Sequence, residues 1–301
     1  MANASRKPVV EFFYDIVCPF AYIASTRIEA IAAQASATVI WRPVLLGGIY
    51  NATQAPQGAK GSATDAFNPA KKDVFDRAFA RNIKRLGIPF KKPAQHPYRT
   101  IDALRLLHYL PSDARATVSH ALFKAYWVDD VHIEDRDVLI DLAWLALDKM
   151  PKVQALLTPT LFNNQESKKS LRQATTDAIE RGAPGVPGFW IREETWKDLK
   201  GTIRIGRLYW GQDRMHFVQA SLMRLNENLS SVREAPRLID LIPRCRKPTP
   251  LREPVKLEFW FDFASPWSYI GWTRLESLKR RFGSQLEIEL KPVLLGALFR
   301  E

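Results

Sequence analysis

Two similar segments each place a small nucleophilic side chain directly before a proline. Residues Glu11–Ile31 read EFFYDIVCPFAYIASTRIEAI and contain Cys18, and residues Glu258–Leu278 read EFWFDFASPWSYIGWTRLESL and contain Ser265. In both segments an apolar, aromatic run precedes this residue and a helical pattern follows the proline. The chain therefore contains a repeat, and we expect each copy to hold its Cys or Ser at a strand-to-helix corner.

A cysteine at such a corner can do chemistry. Free backbone N–H groups and the positive end of the helix dipole stabilise a thiolate, so we expect the pKa of Cys18 to be lowered. The thiolate could act as a nucleophile, or Cys18 could hold another thiolate by hydrogen bonding. A buried, inert cysteine is the commoner fate of a lone Cys. The Asp-x-x-Cys-Pro-aromatic context and a distant Val-Pro turn favour the reactive interpretation.

That turn is Val186-Pro187, which follows a Gly-rich stretch and precedes a predicted strand. It is a candidate cis peptide bond, which would leave the Val186 backbone open to pair with an extended peptidic ligand. An ordinary trans turn is the alternative. A third candidate lies at Gln212 and Asp213, at a predicted helix start where free N–H groups can bind a carboxylate. Asp213 could also pair with an ammonium group, or could simply cap the helix.

The predicted elements place these three features in one domain. A strand at Val9–Tyr14, a helix from Pro19 and a strand at Thr38–Trp41 form a strand–helix–strand unit. A helical insertion at about 69–181 follows, and two strands and a last helix complete an α/β domain at 8–229. Residues 230–254 read as a Pro- and Arg-rich linker. Residues 255–301 contain only the opening unit of a second copy.

Composition sets limits on partners and setting. The 301 residues have a formal net charge of +12 and are 46% hydrophobic, ample for a packed core. The basic excess is scattered over helix faces, so we expect a solvated surface and no nucleic-acid partner. No apolar run is long enough to span a membrane, and the two cysteines and absent secretory signal favour an intracellular protein. The five histidines show no metal-binding spacing, so no metal is predicted.

Four short segments of the chain, in their order along the sequence, resemble the DsbA-like thioredoxin superfamily. Within it they resemble the branch of kappa-class glutathione transferases and 2-hydroxychromene-2-carboxylate isomerases. They are Tyr14-Asp-Ile-Val-Cys-Pro-Phe-Ala-Tyr-Ile, Arg42-Pro-Val-Leu-Leu-Gly-Gly, Ala178-Ile-Glu-Arg-Gly-Ala-Pro-Gly-Val-Pro and Trp210-Gly-Gln-Asp-Arg-Met. The resemblance implies a thioredoxin-like fold with an inserted all-helical domain, followed here by a partial second β-α-β unit. It also implies glutathione as co-substrate, a small electrophilic or aromatic substrate, and a mitochondrial, peroxisomal or cytoplasmic setting, and it leaves a homodimer open.

In that branch glutathione lies across the cis-Pro loop, the first helix start and the Gly-x-Asp-Arg turn, which here are Val186-Pro187, Cys18 and Gln212-Asp213. A serine usually stands where this chain has Cys18, and Ala55 falls where an asparagine is usual. Ala21 replaces the resolving cysteine of Cys-Pro-x-Cys oxidoreductases, which excludes an intramolecular dithiol cycle at this corner and leaves a monothiol route through a mixed disulfide.

Three hypotheses follow for the function. The first is a glutathione-dependent transferase or isomerase in which Cys18 holds or acts as the reactive thiolate. The second is a monothiol disulfide oxidoreductase that uses Cys18. The third is a non-catalytic thioredoxin-fold binding module. We further expect that the second copy is incomplete as recorded, and that Cys245 is an incidental cysteine of the linker.

Overall fold

The computed structural model describes residues 7–58, 61–226 and 253–298. The chain divides into two compact units, Met1–Pro243 and Arg244–Glu301, and each is described by itself. Most of the predicted linker lies outside the described residues, including Cys245 and a short helix expected at Leu238–Ile242. The proposed domain limits therefore stay predictions.

The first unit contains four strands and nine α-helices within its described residues. In chain order they are β1 (Val9–Tyr14), α1 (Pro19–Gln34), β2 (Thr38–Pro43), α2 (Leu46–Ala52), α3 (Pro69–Leu86), α4 (Ile101–Tyr109), α5 (Ser112–Trp127), α6 (Arg136–Ala146), α7 (Pro151–Gln154), α8 (Gln165–Glu180), β3 (Gly188–Lys197), β4 (Ile203–Trp210) and α9 (Met215–Leu225). Helices α3 to α8 all lie between β2 and β3 in the chain. This is the helical insertion that the sequence predicted.

The four strands form one sheet in the order β2-β1-β3-β4. Strands β1 and β2 are parallel, as expected for a strand–helix–strand unit, whereas β3 runs antiparallel to β1 and β4 antiparallel to β3. Alternate residues of β1 place Phe12 and Tyr14 on one face of the sheet, where both are fully buried. Phe12 stacks on Phe189 of β3 with ring centroids 5.5 Å apart. Aromatic packing therefore joins the parallel and antiparallel halves of the sheet.

The corner after β1 is held by one buried carboxylate. Asp15 accepts hydrogen bonds from the backbone N–H of Val17 at 3.3 Å and of Leu46 at 2.9 Å. It also accepts one from the Thr100 hydroxyl at 2.7 Å. Thr100 directly precedes α4, but its side chain makes no capping hydrogen bond to that helix. Its hydroxyl instead ties the helical insertion to the corner.

Three further side-chain hydrogen bonds connect the insertion to the same region. The Trp127 indole N–H donates to the Ile16 carbonyl at 2.8 Å, and the Tyr22 hydroxyl donates to the Pro89 carbonyl at 2.6 Å. The hydroxyl groups of Tyr14 and Ser119 lie 2.6 Å apart. Because all these groups are buried or partly buried, each needs its partner to offset lost hydration. The insertion is therefore part of the same packed body as the sheet.

The second unit repeats the local geometry of the first corner. It contains β5 (Val255–Phe261), α10 (Pro266–Phe282), β6 (Leu286–Pro292) and α11 (Leu295–Leu298), with β5 and β6 parallel. Asp262 accepts hydrogen bonds from the N–H of Ala264 at 2.8 Å and of Leu295 at 2.7 Å, as Asp15 does in the first unit. Ser265 has φ −94° and ψ 113°, and Cys18 has φ −94° and ψ 116°.

No described residue of the second unit is fully buried. Its large apolar side chains include Trp260, Phe263 and Trp267, which are 60%, 93% and 76% exposed. The predicted β-α-β order of the second unit is confirmed. The two corners are similar in sequence, but this similarity did not indicate that the first corner is buried and the second is exposed. Within the described residues of the chain, none of the helices is both long and apolar enough to cross a membrane.

The Asp15 carboxyl makes folding stability depend on pH. Burial raises its pKa from 3.8 to about 6, against the lowering effect of its hydrogen bonds. Between about pH 4 and 6 the folded protein therefore binds more protons at this site than the unfolded chain does, so this contribution to stability falls as pH rises. Asp15→Asn lacks this titration. We predict that the wild type loses up to about 3 kcal/mol of stability relative to Asp15→Asn between pH 4 and 7.

Urea unfolding at several pH values, with hydrogen exchange read on β1 peptides, measures this difference in the first unit alone. Asp262→Asn is the matched control, because it removes the corresponding carboxylate of the second unit and should leave the β1 profile unchanged. If the free energies of unfolding of wild type and Asp15→Asn differ by a constant amount across this pH range, the prediction is contradicted.

Candidate active site

Cys18 lies at the N-terminal end of α1, in extended backbone directly before Pro19. Its Sγ–H donates a hydrogen bond to the Val186 carbonyl, with Sγ and O 3.3 Å apart. The backbone N–H groups of Phe20 and Ala21 also hydrogen-bond to the sulfur. The residue is only 6% exposed. The sequence therefore placed the thiol correctly at a helix start facing the Val186 turn.

The expectation of a lowered pKa at Cys18 is wrong. Burial, with a smaller contribution from the nearby Asp15 carboxylate, raises the pKa of this thiol to about 12. The Phe20 and Ala21 N–H groups lower it, but by less than burial raises it. The loss of hydration on burial raises the pKa of Cys18 by more than the N–H groups at the helix start lower it. Cys18 is consequently a protonated thiol at neutral pH, able to donate a hydrogen bond.

The Val186-Pro187 peptide bond is cis, as the sequence analysis suggested. It directly precedes β3, whose first residue Gly188 pairs with Phe13 of β1. The Val186 carbonyl accepts the Cys18 hydrogen bond, while the Val186 N–H has no hydrogen-bond partner among the described residues. An unpaired donor therefore lies beside the thiol, in a position to pair with a ligand backbone.

Gln212 and Asp213 lie in a 3₁₀ turn, Gln212–Arg214, between β4 and α9. The Gly211 N–H donates to the Pro187 carbonyl at 2.9 Å, which ties this turn to the cis-Pro turn. Arg27 of α1 donates to the Gln212 carbonyl at 3.4 Å. The exposed Asp213 carboxylate pairs with Arg214 and does not cap α9, whose start has no side-chain cap. The capping alternative for Asp213 is therefore wrong.

The three predicted features thus belong to one continuous set of contacts. The Cys18 thiol contacts the Val186 backbone, Pro187 contacts Gly211, and the turn after Gly211 packs against α1. Ala21, at the position of a resolving cysteine, is fully buried in α1. No group of three or more metal-ligating side chains was found in the described parts of the chain.

Two aromatic side chains that the sequence analysis did not single out line the space over Gly185. A methyl group at Gly185 would lie 3.5 Å from Trp210 Nε1, 3.6 Å from Tyr50 Cε1 and 3.8 Å from Leu46 Cδ1. The Trp210 indole N–H donates to no other described residue. Burial and the neighbouring Cys18 raise the pKa of Tyr50 to about 12, although a hydrogen bond from Gln57 opposes this rise. Tyr50 is therefore a neutral phenol.

The signal for Tyr50 was present in the sequence. Leu46 and Tyr50 are four residues apart, which places them on one face of a helix. However, two adjacent glycines, Gly47 and Gly48, are unfavourable within a helix, so α2 was not predicted. The Asp15 hydrogen bond to the Leu46 N–H holds the start of α2 and fixes this face toward Gly185.

A second aromatic group adjoins the start of α1. Phe20 makes edge-to-face contacts with Phe75 and Phe79 of α3, with ring centroids 5.6 and 5.5 Å apart. Phe67 contacts Phe75 at 5.5 Å. None of the residues of α3 is fully buried, so this aromatic cluster is partly open to solvent. The thiol therefore has aromatic side chains on the α2 side and the α3 side.

Comparison with known proteins gives one family and several relatives. The model of the DSBA-like thioredoxin domain matches residues 9–223 and 256–299. The 2-hydroxychromene-2-carboxylate isomerase of Pseudomonas putida is 25% identical over 227 residues, which cover 74% of this chain and all of that protein. Glutathione S-transferase kappa 1 of Caenorhabditis elegans is 21% identical over 226 residues, covering 71% of this chain and 90% of that protein.

A solved structure of a 2-hydroxychromene-2-carboxylate isomerase aligns with a TM-score of 0.56 and 19% identity, covering 75% of this chain and 100% of the other. This likeness supports the fold. The family model matches well over half of the chain, including the corner at Cys18, the cis-Pro turn and the turn at Gln212. The chain belongs to the family of DSBA-like thioredoxin domains.

Proposed function

We propose that the first unit is a glutathione-dependent enzyme of the transferase or isomerase type, in which Cys18 holds the thiolate of bound glutathione. The observation that carries this proposal is the arrangement around the thiol. A protonated Sγ–H lies at a helix start, beside an unpaired Val186 N–H. The curated relatives named above, an isomerase and a kappa-class glutathione transferase, support the same class of activity.

The raised pKa of Cys18 favours a holding role over a nucleophilic one. A protonated thiol donates a hydrogen bond, and a donor to a thiolate makes a charge-assisted bond, although S–H is a weak donor. On glutathione binding, the Cys18 S–H would turn from the Val186 carbonyl to the sulfur of the ligand. The positive end of α1 would add electrostatic stabilisation at that sulfur. A serine hydroxyl could do the same, which fits the resemblance noted from the sequence.

The remaining groups fit the rest of the tripeptide. The Val186 N–H and carbonyl offer a donor and an acceptor for the cysteinyl backbone, as in strand addition. The exposed Asp213 carboxylate could pair with the α-ammonium of the γ-glutamyl end, exchanging Arg214 for the ligand. Gln212 could bind the neighbouring α-carboxylate. The electrophilic or aromatic substrate would contact Tyr50, Trp210 and the aromatic cluster of α3.

The other two hypotheses require different properties. A monothiol oxidoreductase needs an accessible, acidic thiol that attacks a disulfide. The burial and raised pKa of Cys18 disfavour that role. A non-catalytic binding module would keep its stability and its partner binding in a Cys18→Ser variant and would show no turnover of electrophiles or peroxides.

We also propose that the second unit is a partial repeat of the first. The shared Asp–backbone hydrogen bonds support it, since Asp15 contacts Leu46 and Asp262 contacts Leu295 at matching positions of the repeated motif. Ser265 uses its hydroxyl as a helix cap, accepting from the Ser268 N–H at 3.2 Å. Within the described residues this unit has no counterpart of the cis-Pro turn. The proposed activity therefore belongs to the first unit.

Alkylation of Cys18 tests the state of the thiol. In a Cys245→Ser background Cys18 is the remaining cysteine. We predict that its rate of reaction with iodoacetamide rises about tenfold per pH unit from pH 7 to 10 without a plateau, because only the thiolate reacts. The same protein unfolded in urea should show a pKa near 8.5. If the alkylation rate of the folded protein instead reaches a plateau below about pH 8.5, the pKa of Cys18 is lowered, which would favour the monothiol oxidoreductase.

Calorimetric titration with glutathione tests the proposal directly. We predict that the wild type binds, that Cys18→Ser binds within about threefold of it, and that Cys18→Ala binds about tenfold more weakly, because alanine lacks the donor. Turnover of a chloronitrobenzene with glutathione should survive in Cys18→Ser and fall in Cys18→Ala. If Cys18 attacks the substrate itself, Cys18→Ser should instead lose turnover. Absence of binding by the wild type would refute the proposed function.

Gly185→Ala tests the space between Tyr50 and Trp210. The added methyl group would sit at ordinary contact distances, so stability should change by no more than about 0.5 kcal/mol. We predict that the methyl group weakens binding of glutathione or raises the KM for the electrophile, because it fills the space next to the thiol. Gly296→Ala, where a methyl group meets open space, is the matched control. An unchanged Kd for glutathione together with an unchanged KM for the electrophile would show that neither ligand occupies this space.

A further inference from the structure

A second polar centre lies away from Cys18, around the buried carboxylate of Glu11 in β1. Three guanidinium groups from different elements contact it: Arg42 Nε and Arg181 Nη1 approach Oε2 at 2.9 and 3.0 Å, and Arg192 Nη2 approaches Oε1 at 3.0 Å. Arg42 belongs to β2, Arg181 ends α8 and Arg192 belongs to β3. We call these four residues the Glu11 cluster.

The Glu11 cluster carries an excess of positive charge. Three arginines and one carboxylate leave two uncompensated positive charges. Burial would raise the pKa of Glu11, but the hydrogen bonds from Arg181 and Arg192 and the charge of Arg42 hold it below its usual value. Glu11 is therefore ionised, and its single negative charge is included in this sum. The carbonyl end of α8 beside Arg181 offsets part of the excess but much less than one full charge.

No other described carboxylate forms an ion pair with these three arginines. Glu193 follows Arg192 in the chain, but its Oε2 lies 3.4 Å from the Val9 N–H. Each arginine donates one hydrogen bond to Glu11 from the five N–H donors of its guanidinium group, and the other donors contact no described acceptor. The cluster thus holds many unused donors.

The arginines are held in place on one side and open to solvent on the other. The Arg181 guanidinium lies over the rings of Phe13 and Trp190, 5.5 and 5.0 Å from their centroids. The side chains of Arg42, Arg181 and Arg192 remain 32%, 23% and 53% exposed, above a carboxylate that is 0% exposed. Glu11 and the two rings therefore fix the guanidinium groups before any ligand arrives, which lowers the entropic cost of binding one.

We propose that the Glu11 cluster is a binding site for a phosphate group, as inorganic phosphate or a phosphate monoester. Fixed guanidinium groups match the oxygens of a tetrahedral oxyanion through paired N–H donors. A dianion would neutralise the two excess charges. The site is separate from Cys18, because Glu11 precedes the Asp15 corner by four residues of extended chain, about 13 Å. The second unit lacks it, since Lys291 stands where the first unit has Arg42 and pairs with Glu289.

Titration with inorganic phosphate and with phenyl phosphate tests the site, at constant ionic strength set with chloride. We expect saturable binding to the wild type, and binding at least about tenfold weaker for Arg192→Gln, the most exposed arginine of the cluster. Arg204→Gln is the matched control. Arg204 is a similarly exposed arginine of the neighbouring strand, paired with Asp198, and its loss changes the net charge equally. This variant should bind phosphate as the wild type does.

Arg192→Lys keeps the charge but not the planar fork, so its affinity should fall between those of wild type and Arg192→Gln. The guanidinium Nε–H signals of wild-type Arg42 and Arg181 should shift with phosphate, which tests the site even if Arg192→Gln does not fold. Stronger binding of phenyl phosphate than of phosphate would identify a monoester as the ligand, and equal binding would identify free phosphate. The proposal would be overturned if the wild type shows no saturable phosphate binding, or if Arg192→Gln and Arg204→Gln lose phosphate affinity equally.

Discussion

The Asp15 carboxylate is the interaction on which the candidate site depends. It joins three parts of the chain that are distant in sequence, because it accepts from its own corner at Val17, from the start of α2 at Leu46 and from the start of α4 at Thr100. The first contact shapes the turn that brings Cys18 to the start of α1. The second directs Tyr50 toward Gly185, and the third closes the helical insertion over the corner. A buried carboxylate with fewer donors would be far more costly, so these contacts are expected to form together.

The chemistry of Cys18 is decided by a competition between local and tertiary effects. Locally, the start of α1 offers backbone N–H groups and a favourable dipole, which stabilise a thiolate. The fold surrounds the same sulfur with protein, and the ionised form then loses its hydration. Burial is the larger effect, so the residue becomes a hydrogen-bond donor. A protonated thiol at a helix start therefore offers a hydrogen-bond donor, as a serine hydroxyl does.

The sequence predicted those features that depend on short-range patterns. The strand at Val9–Tyr14 and the helix opening at Pro19 follow from local residue types. The cis bond before Pro187 was a candidate that the family resemblance, and not the local residues, favoured over a trans turn. The structure contains all three. Features that depend on burial or on distant partners could not be predicted. The raised pKa of Cys18, the Thr100 contact with Asp15 and the gathering of Arg42, Arg181 and Arg192 around Glu11 have no short-range signal. The α2 helix was missed because two glycines resemble a loop.

The two corners of the chain separate the effect of the motif from the effect of its surroundings. Asp15 and Asp262 make the same backbone contacts, yet the pKa of Asp15 is raised to about 6 whereas that of Asp262 is lowered. The backbone N–H donors alone therefore favour the ionised carboxylate, and the rise at Asp15 comes from burial. Thr100, Trp127 and Pro89 of the insertion contact the first corner and its helix, which suggests that the helical insertion supplies that burial. The corner motif that both units contain provides the backbone geometry, while contacts from the helices between β2 and β3 contribute to the burial that raises the pKa of Asp15.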